Sequence, residues 1–396
     1  MKSYSSLGTC TDRFAPLRIV FEDLLAADGG KGAALAVCID GDLVVDLHGG
    51  DADDTGSLWN DRTRAVVFSS GKPVAALCVL KLVDAGQLAL DRPIAAYWPE
   101  FAQAGKNHIT LEDVLTHSAG LPYWSGMDRI VRFAEIDSWP DNRDAAEHLA
   151  AAAPVVAPRR DLAYHALTYG WLLDEIVMRT TGGDMRELAA EKVAGPLGLR
   201  FTFGASDSDV ASEHLRPFGD RERRLVAEAY APLAAEGQML GTHDPGGVFQ
   251  VSALANSRRF LTSSQPAING VADARSLARL YSIIACGGDG GGTPLLSGSL
   301  LRKAIAVQRV GRDVLRGAPW ALGWGFAHYR RSGFPHFPDG AVGGAGLGGS
   351  LAFADPGSRL SFAYVPRALD LRVDRQHERA ARLVTVLYSG SGAPRT

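Results

Sequence analysis

A serine hydroxyl and a lysine amine stand three residues apart at Ser69 and Lys72, within Val67-Phe68-Ser69-Ser70-Gly71-Lys72-Pro73. At the start of a helix that spacing puts both side chains on one face. A serine hydroxyl becomes a useful nucleophile only when another group takes its proton. A lysine amine can do so once burial lowers its pKa from the usual value of about 10.4. The run from Val74 to Gly86 is apolar nearly all round, which predicts a buried helix. Its N-terminus would favour developing negative charge. Ser69 is expected to cap that helix through its side-chain oxygen, with Pro73 tolerated in the first turn and Gly86 as the stop. Ser-x-x-Lys alone is a weak motif. Read by itself, it fits an N-cap serine with a surface lysine as well as a nucleophile with its base.

Two other stretches could contribute chemistry. Tyr164 stands at the expected start of a helix over 164–181. Its phenol could accept or relay the serine proton if nearby cations ease its ionisation. In isolation it reads first as an amphipathic core tyrosine, and His165 first as a helix-end histidine. Val342 to Ser350 carries five glycines and runs into a strand, so backbone there must approach something closely or adopt positive φ. Backbone N–H groups along such an edge are what a tetrahedral oxyanion needs. Competing signatures are missing from the sequence: no Gly-x-Ser-x-Gly elbow, no His-Glu-x-x-His and no phosphate loop. The ten histidines do not pair at metal-ligand spacing. Neither a metal nor a cofactor is expected.

The elements that must hold these groups follow from periodicity and turn residues. Helical spacing over 13–27 ends at Gly29-Gly30. Two apolar runs, 33–39 and 43–47, flank Asp40-Gly41, a type I′ hairpin signal. Thr110 opens a capping box for a helix over 111–117. A loop then carries Tyr123 and Trp124. Helices are expected over 143–153, 164–181, 185–193, 272–285, 297–307 and 379–387, with strands over 323–329, 350–354 and 360–365. Residues 204–250 have weak periodicity and read as a long surface excursion. The pattern predicts an α+β fold, with an antiparallel sheet built from both chain ends, flanked by helices, and an α-rich region inserted between them.

Composition narrows the function classes. The 396 residues carry a net charge of −3, with 46 % hydrophobic and 21 % charged residues. That balance offers no basic footprint for nucleic acid and no electrostatic case for a membrane surface. No window approaches a transmembrane span. The four scattered cysteines, Cys10, Cys38, Cys78 and Cys286, read as small hydrophobes in a reducing compartment. With no apolar leader, a cytoplasmic location is expected.

The order Ser-x-x-Lys, Tyr, glycine-rich strand edge resembles the serine β-lactamase and penicillin-binding-protein superfamily. The closer resemblance is to its class C-like branch, family VIII carboxylesterases and related acyltransferases. Ala34-Leu35-Ala36-Val37 with Asp40-Gly41, Val67-Phe68-Ser69, and Trp98-Pro99-Glu100-Phe101-Ala102 carry that likeness. So do His117 to Pro122, Tyr164 to Trp171, Pro266 to Gly270 and Phe353 to Pro356. The resemblance implies a β-lactamase-like fold, with 1–88 plus 320–396 as the sheet subdomain and 89–319 as the inserted helical one. Ser69 would lie at their junction.

It also implies Ser69 as the acylated nucleophile, Lys72 as its partner and Tyr164 as the third catalytic group. The backbone N–H groups of Ser69 and Leu347 would form the oxyanion hole. The chain departs from the pattern in three places. Ala166 stands where class C enzymes have the Asn of Tyr-x-Asn. Gly344-Ala345-Gly346 stands where they carry Lys-Thr-Gly and many of the esterases carry a His. Ala157-Pro158-Arg159-Arg160 replaces Glu-Pro-Gly. The implied substrate is a small to medium carboxylic ester, met by Gly344, Ala345 and Gly346 and walled by Tyr123, Trp124 and the 204–250 excursion. A transacylase passing the acyl group to an amine or alcohol is the alternative. A β-lactamase or D-peptidase is less favoured, because such substrates bring a carboxylate that needs a cation. An inactive binding protein is least favoured. The sequence is silent on oligomeric state.

Overall fold

The two ends of the chain meet along one strand pair. In the computed structural model, β2 (Ala33–Ile39) runs antiparallel to β13 (Leu360–Pro366), from Ala33 opposite Pro366 to Ile39 opposite Leu360. The structure describes residues 4–131, 135, 137, 139–205, 210–216, 218–235, 245–288, 294–372 and 378–390. On one side of the seam lie β3 (Asp42–Gly49) and β1 (Leu7–Cys10). On the other lie β12 (Leu351–Asp355), β11 (Val342–Ala345), β10 (Ala327–His328), β9 (Pro319–Leu322) and β8 (Arg309–Arg312). The result is a nine-stranded antiparallel sheet. The β2–β3 turn has Asp40 and Gly41 at φ 52° and 95°, the positive values a type I′ turn requires.

Side-chain alternation sorts the sheet's two faces by size. Ala34, Ala36 and Cys38 of β2, Ala352 and Ala354 of β12, and Ala363 and Val365 of β13 face the larger core. That core includes α2 (Lys72–Asp84) and α10 (Ala274–Ala285). Leu35, Val37, Leu351, Phe353, Phe362 and Tyr364 face the second core, under α1 (Ala15–Ala27) and α12 (Glu378–Gly390). Small residues let the inner helices sit close to the sheet. Helices on both faces account for the continuous apolar runs of its central strands.

The middle of the chain is largely helical. It contains α3 (Leu111–Leu115), α4 (Asn142–Ala151), α5 (Thr168–Thr181), α6 (Met185–Ala189), α7 (Asp220–Ala235), α8 (Val251–Asn256), α9 (Arg258–Thr262) and α11 (Gly298–Ile305). A small antiparallel sheet sets β4 (Ala65–Phe68) and β5 (Phe201–Phe203) on either side of β7 (Gly270–Ala272). A short parallel pair joins β6 (His214–Leu215) to β14 (Ala368–Leu369).

Several expectations are corrected. The segment 164–167 precedes α5 rather than opening it. The helix after Thr110 stops at Leu115, and His117 takes φ 55°. The 204–250 excursion contains the helix α7, while 206–209, 217 and 236–244 lie outside the described residues. The span 323–329 is not one strand, because Gly325 turns at φ 81° to pass Ala76 of α2. The returning strands begin at Arg309, ahead of the expected boundary at 320. Among the described residues no helix is long and apolar enough to cross a membrane.

Candidate active site

The small sheet delivers Ser69. At the end of β4, Phe68 pairs with Gly270 and takes φ 46° and ψ −131°, a conformation that non-glycine residues rarely adopt. Strain of this kind persists only where its surroundings enforce it, and Phe68 is buried. The chain then makes a 3-10 turn over Ser69–Gly71 and enters α2 at Lys72. Contrary to expectation, the Ser69 oxygen caps nothing. It instead accepts a hydrogen bond from Lys72 Nζ at 3.1 Å and one from the Tyr164 hydroxyl at 2.7 Å.

Lys72 is almost fully buried, and its Nζ also donates to the carbonyl oxygens of Ala166 at 2.8 Å and Ala267 at 2.9 Å. The position that lacks the family's Asn therefore holds the lysine through its backbone. Burial lowers the Lys72 pKa, and the Tyr164 phenol pulls the other way. For Tyr164, burial opposes ionisation. The Lys72 charge, the bond to Ser69 and the Arg316 charge outweigh it, so the phenol lies below its usual range.

Tyr164 is fixed by its neighbours rather than by a helix. The N–H of Ala163 donates to the His117 carbonyl at 3.0 Å, and the N–H of His165 donates to His117 Nδ1 at 3.1 Å. The His165 Nε2 accepts from the Leu121 N–H, so its proton sits on Nδ1, 2.6 Å from the Ala163 carbonyl. Burial pulls the His165 pKa down to about 4 and holds that of His117 well below its usual value. The His117 ring stacks on Tyr169 and Trp320. Both histidines are thus neutral framework. Neither His117 nor Arg316 was singled out from the sequence. Arg316 lies with its guanidinium carbon 4.5 Å from the centre of the Tyr164 ring.

The glycine-rich stretch lies against the turn that carries Ser69. A Cβ on Gly344 would stand 2.8 Å from Pro73 Cγ. One on Gly346 would stand 2.2 Å from both the Val67 carbonyl oxygen and Ser350 Oγ. The Ser70 hydroxyl meets Ser350 Oγ at 3.1 Å, and Ser350 Oγ donates to the Val67 carbonyl at 2.8 Å. Ala345 turns its side chain to the second core. Leu347 lies in the turn after β11 and is half-buried. Among the described residues, no hydrogen bond uses the backbone N–H of Ser69 or Leu347. Trp124, expected as a pocket wall, is buried, stacked on His148 at 5.3 Å and set against Trp171. Tyr123 packs half-buried at the margin of the same core.

Known proteins share this chain's family and fold. The family model described as Beta-lactamase matches residues 17–386. The Esterase/beta-lactamase LipL of Mycobacterium tuberculosis (strain ATCC 25618 / H37Rv) is 34 % identical over 373 residues, covering 91 % of this chain and 83 % of LipL. A penicillin-binding protein homolog from Caulobacter crescentus superposes with a TM-score of 0.80 at 34 % identity, over 97 % of this chain and 99 % of that one. A family VIII carboxylesterase gives a TM-score of 0.81 at 28 % identity, over the same shares of the two chains.

Proposed function

The chain belongs to the Beta-lactamase family, and from that premise we propose that it is a serine hydrolase acting on small to medium carboxylic esters through an acyl-Ser69 intermediate. One observation carries the reading: the Ser69 oxygen sits at the meeting point of Lys72 Nζ and the Tyr164 hydroxyl, both within hydrogen-bond reach. Nucleophile and base stand in the geometry that nucleophilic catalysis needs.

In the proposed reaction, the Lys72 amine or the Tyr164 phenolate takes the Ser69 proton as Oγ bonds to the ester carbonyl carbon. The carbonyl oxygen becomes an oxyanion and accepts from the N–H groups of Ser69 and Leu347, an effect commonly worth about 3 kcal/mol per donor. Collapse breaks the bond to the leaving alkoxide, which receives the proton held by Tyr164 or Lys72. Water then attacks the acyl carbon, gives its proton to the same pair and releases the acid, and Ser69 regains its hydrogen. The backbone at Gly344 offers no side chain to read a carboxylate, which favours esters over β-lactams and D-peptides. The esterase names of LipL and of the family VIII structure support the same reaction class.

Intact-protein mass spectrometry after mixing with p-nitrophenyl acetate or butyrate tests this. An acyl mass on wild type that is missing from Ser69→Ala is the expected result. Its absence from wild type would sink the assignment. Adding an amine or alcohol separates the acceptors. An adduct lost at an unchanged rate supports hydrolysis, whereas faster loss with a coupled product supports the transacylase.

A further inference from the structure

The triplet Gly344-Ala345-Gly346 leaves the edge strand without a cation, yet a cation stands at Tyr164 from a different element. We propose that Arg316 is the positioning residue of Tyr164: its guanidinium, held by Asp313 and laid over the phenol ring, supplies the positive charge that Gly344 cannot.

Arg316 lies in the turn between β8 and β9. Its guanidinium carbon is 4.5 Å from the Tyr164 ring centre and 4.9 Å from that of Trp320. The Trp320 ring meets Tyr164 edge-on at 5.6 Å, so the guanidinium, phenol and indole form one packed unit. The turn is built to hold this pose. Asp313 is fully buried; its Oδ1 accepts from the Leu315 N–H at 3.0 Å and the Arg316 N–H at 3.4 Å, and its Oδ2 pairs with Arg316 Nε. The Val314 N–H donates to the Leu162 carbonyl at 2.8 Å, which ties the turn to the segment carrying Tyr164.

A cation over an aromatic face interacts more strongly as the ring gains negative charge, and arginine keeps its charge throughout the working pH range. The groups facing Tyr164 from each packed element are few. Lys72 comes from α2, with Nζ 4.9 Å from the ring centre; His117 from the loop after α3, at 5.2 Å; and Trp320 and Arg316 from the β8–β9 side. The buried Tyr169 and His165 stand behind them, both uncharged, and Asp313 is committed to Arg316. The two cations are therefore Lys72, which touches the nucleophile, and Arg316, which does not. Burial lowers the Lys72 pKa, so that charge is the one lost as the amine becomes a base, whereas Arg316 remains charged.

This inference rests on the acyl-Ser69 reading. Its test measures acylation by p-nitrophenyl butyrate, a neutral ester, across pH, with the adduct checked by intact mass. Wild type, Arg316→Gln, Arg316→Lys and Asp313→Asn are compared, together with Arg316→Gln in a Tyr164→Phe background. Arg316→Gln is expected to move the acid limb up by about one pH unit, so that the rate near neutrality falls about tenfold and recovers in alkali. Arg316→Lys, which keeps the charge, should stay within a few-fold of wild type, and Asp313→Asn, which loosens the guanidinium, should move the limb in the same direction by less. In the Tyr164→Phe background the shift should shrink to the smaller part that Arg316 exerts on Lys72. A wild type that acylates while Arg316→Gln is unchanged, or is slowed equally at every pH, overturns the role of Arg316 and leaves the Ser69 reading standing. A shift of the same size without the Tyr164 hydroxyl also overturns it. A wild type that never acylates overturns the reading beneath it.

Discussion

Two backbone carbonyls decide how the Lys72 nitrogen can work. The Ala166 and Ala267 oxygens take two of its hydrogens, and the third direction points at Ser69 Oγ. As an ammonium, Lys72 donates there; as a neutral amine it presents its lone pair to the serine hydroxyl. Burial lowers its pKa and so brings the neutral form within reach. The sign follows: the rate should rise with pH as the Lys72–Tyr164 pair loses a proton and fall in acid as that proton returns. His165, pulled down to about 4 and bonded at both ring nitrogens, should contribute nothing to that limb. His165→Asn is therefore expected to scale kcat/KM by one factor across pH without moving the profile. A displaced acid limb would make the histidine a titrating participant. Ser69 and Lys72 were legible because they share one turn of chain. The places of His117 and Arg316 beside Tyr164 were not, since only the packed fold brings them there; His117 stood in a family landmark without a role, and Arg316 lies in no motif.

The same division holds for the elements. The β2–β3 hairpin, α1 and the capping box at Thr110 were legible because local signals set them: positive-φ turn residues, amphipathic spacing and a reciprocal side-chain cap. The strands β5 and β7 were missed. Each is only three residues long and forms because β4 and its neighbours offer a ladder, not through propensity of its own. Tyr164 was expected to open the helix over 164–181; in the structure its segment precedes α5 and bonds to His117 instead. Lys106 is a further case. It has no exposed surface, and its Nζ donates to the carbonyls of Gln103 and Ala150, each at 2.9 Å, and to that of Ala152. The last two are at the C-terminus of α4, where carbonyls lack intrahelical partners. Lys106 thus caps a helix from a distant loop. Lys106→Met keeps the apolar stem but strands those acceptors. It should cost about 2–3 kcal/mol in urea unfolding, by the usual penalty for unsatisfied buried groups. A loss below about 0.5 kcal/mol would mean that water reaches the carbonyls.

At the scale of the molecule, both ends of the chain close around the stretch that carries Leu347. The sheet's double origin was legible as strands at each terminus, but the contact that locks them was not. Arg379 on α12 is nearly buried. It donates through Nη1 to Asp28 Oδ2, at the C-terminus of α1, at 2.5 Å. Through Nη2 it donates to the carbonyls of Gly348 at 3.0 Å and Ala368 at 2.7 Å. One guanidinium therefore joins the first helix, the last helix and the turn after β11. Removing it leaves a largely buried carboxylate without its partner, and for a fully buried pair that loss commonly costs about 3–5 kcal/mol. Arg379→Met is thus expected to lower the unfolding free energy in urea by an amount in that range and to slow acylation, since Gly348 follows Leu347 directly. Adding Asp28→Asn removes the stranded charge and should recover part of the stability, while the Gly348 carbonyl stays unanchored and acylation stays slow. Recovery of both together would mean that the turn keeps its place without Arg379. Recovery of stability alone would mean that closing the chain ends and setting the oxyanion-side turn are separate tasks of one side chain.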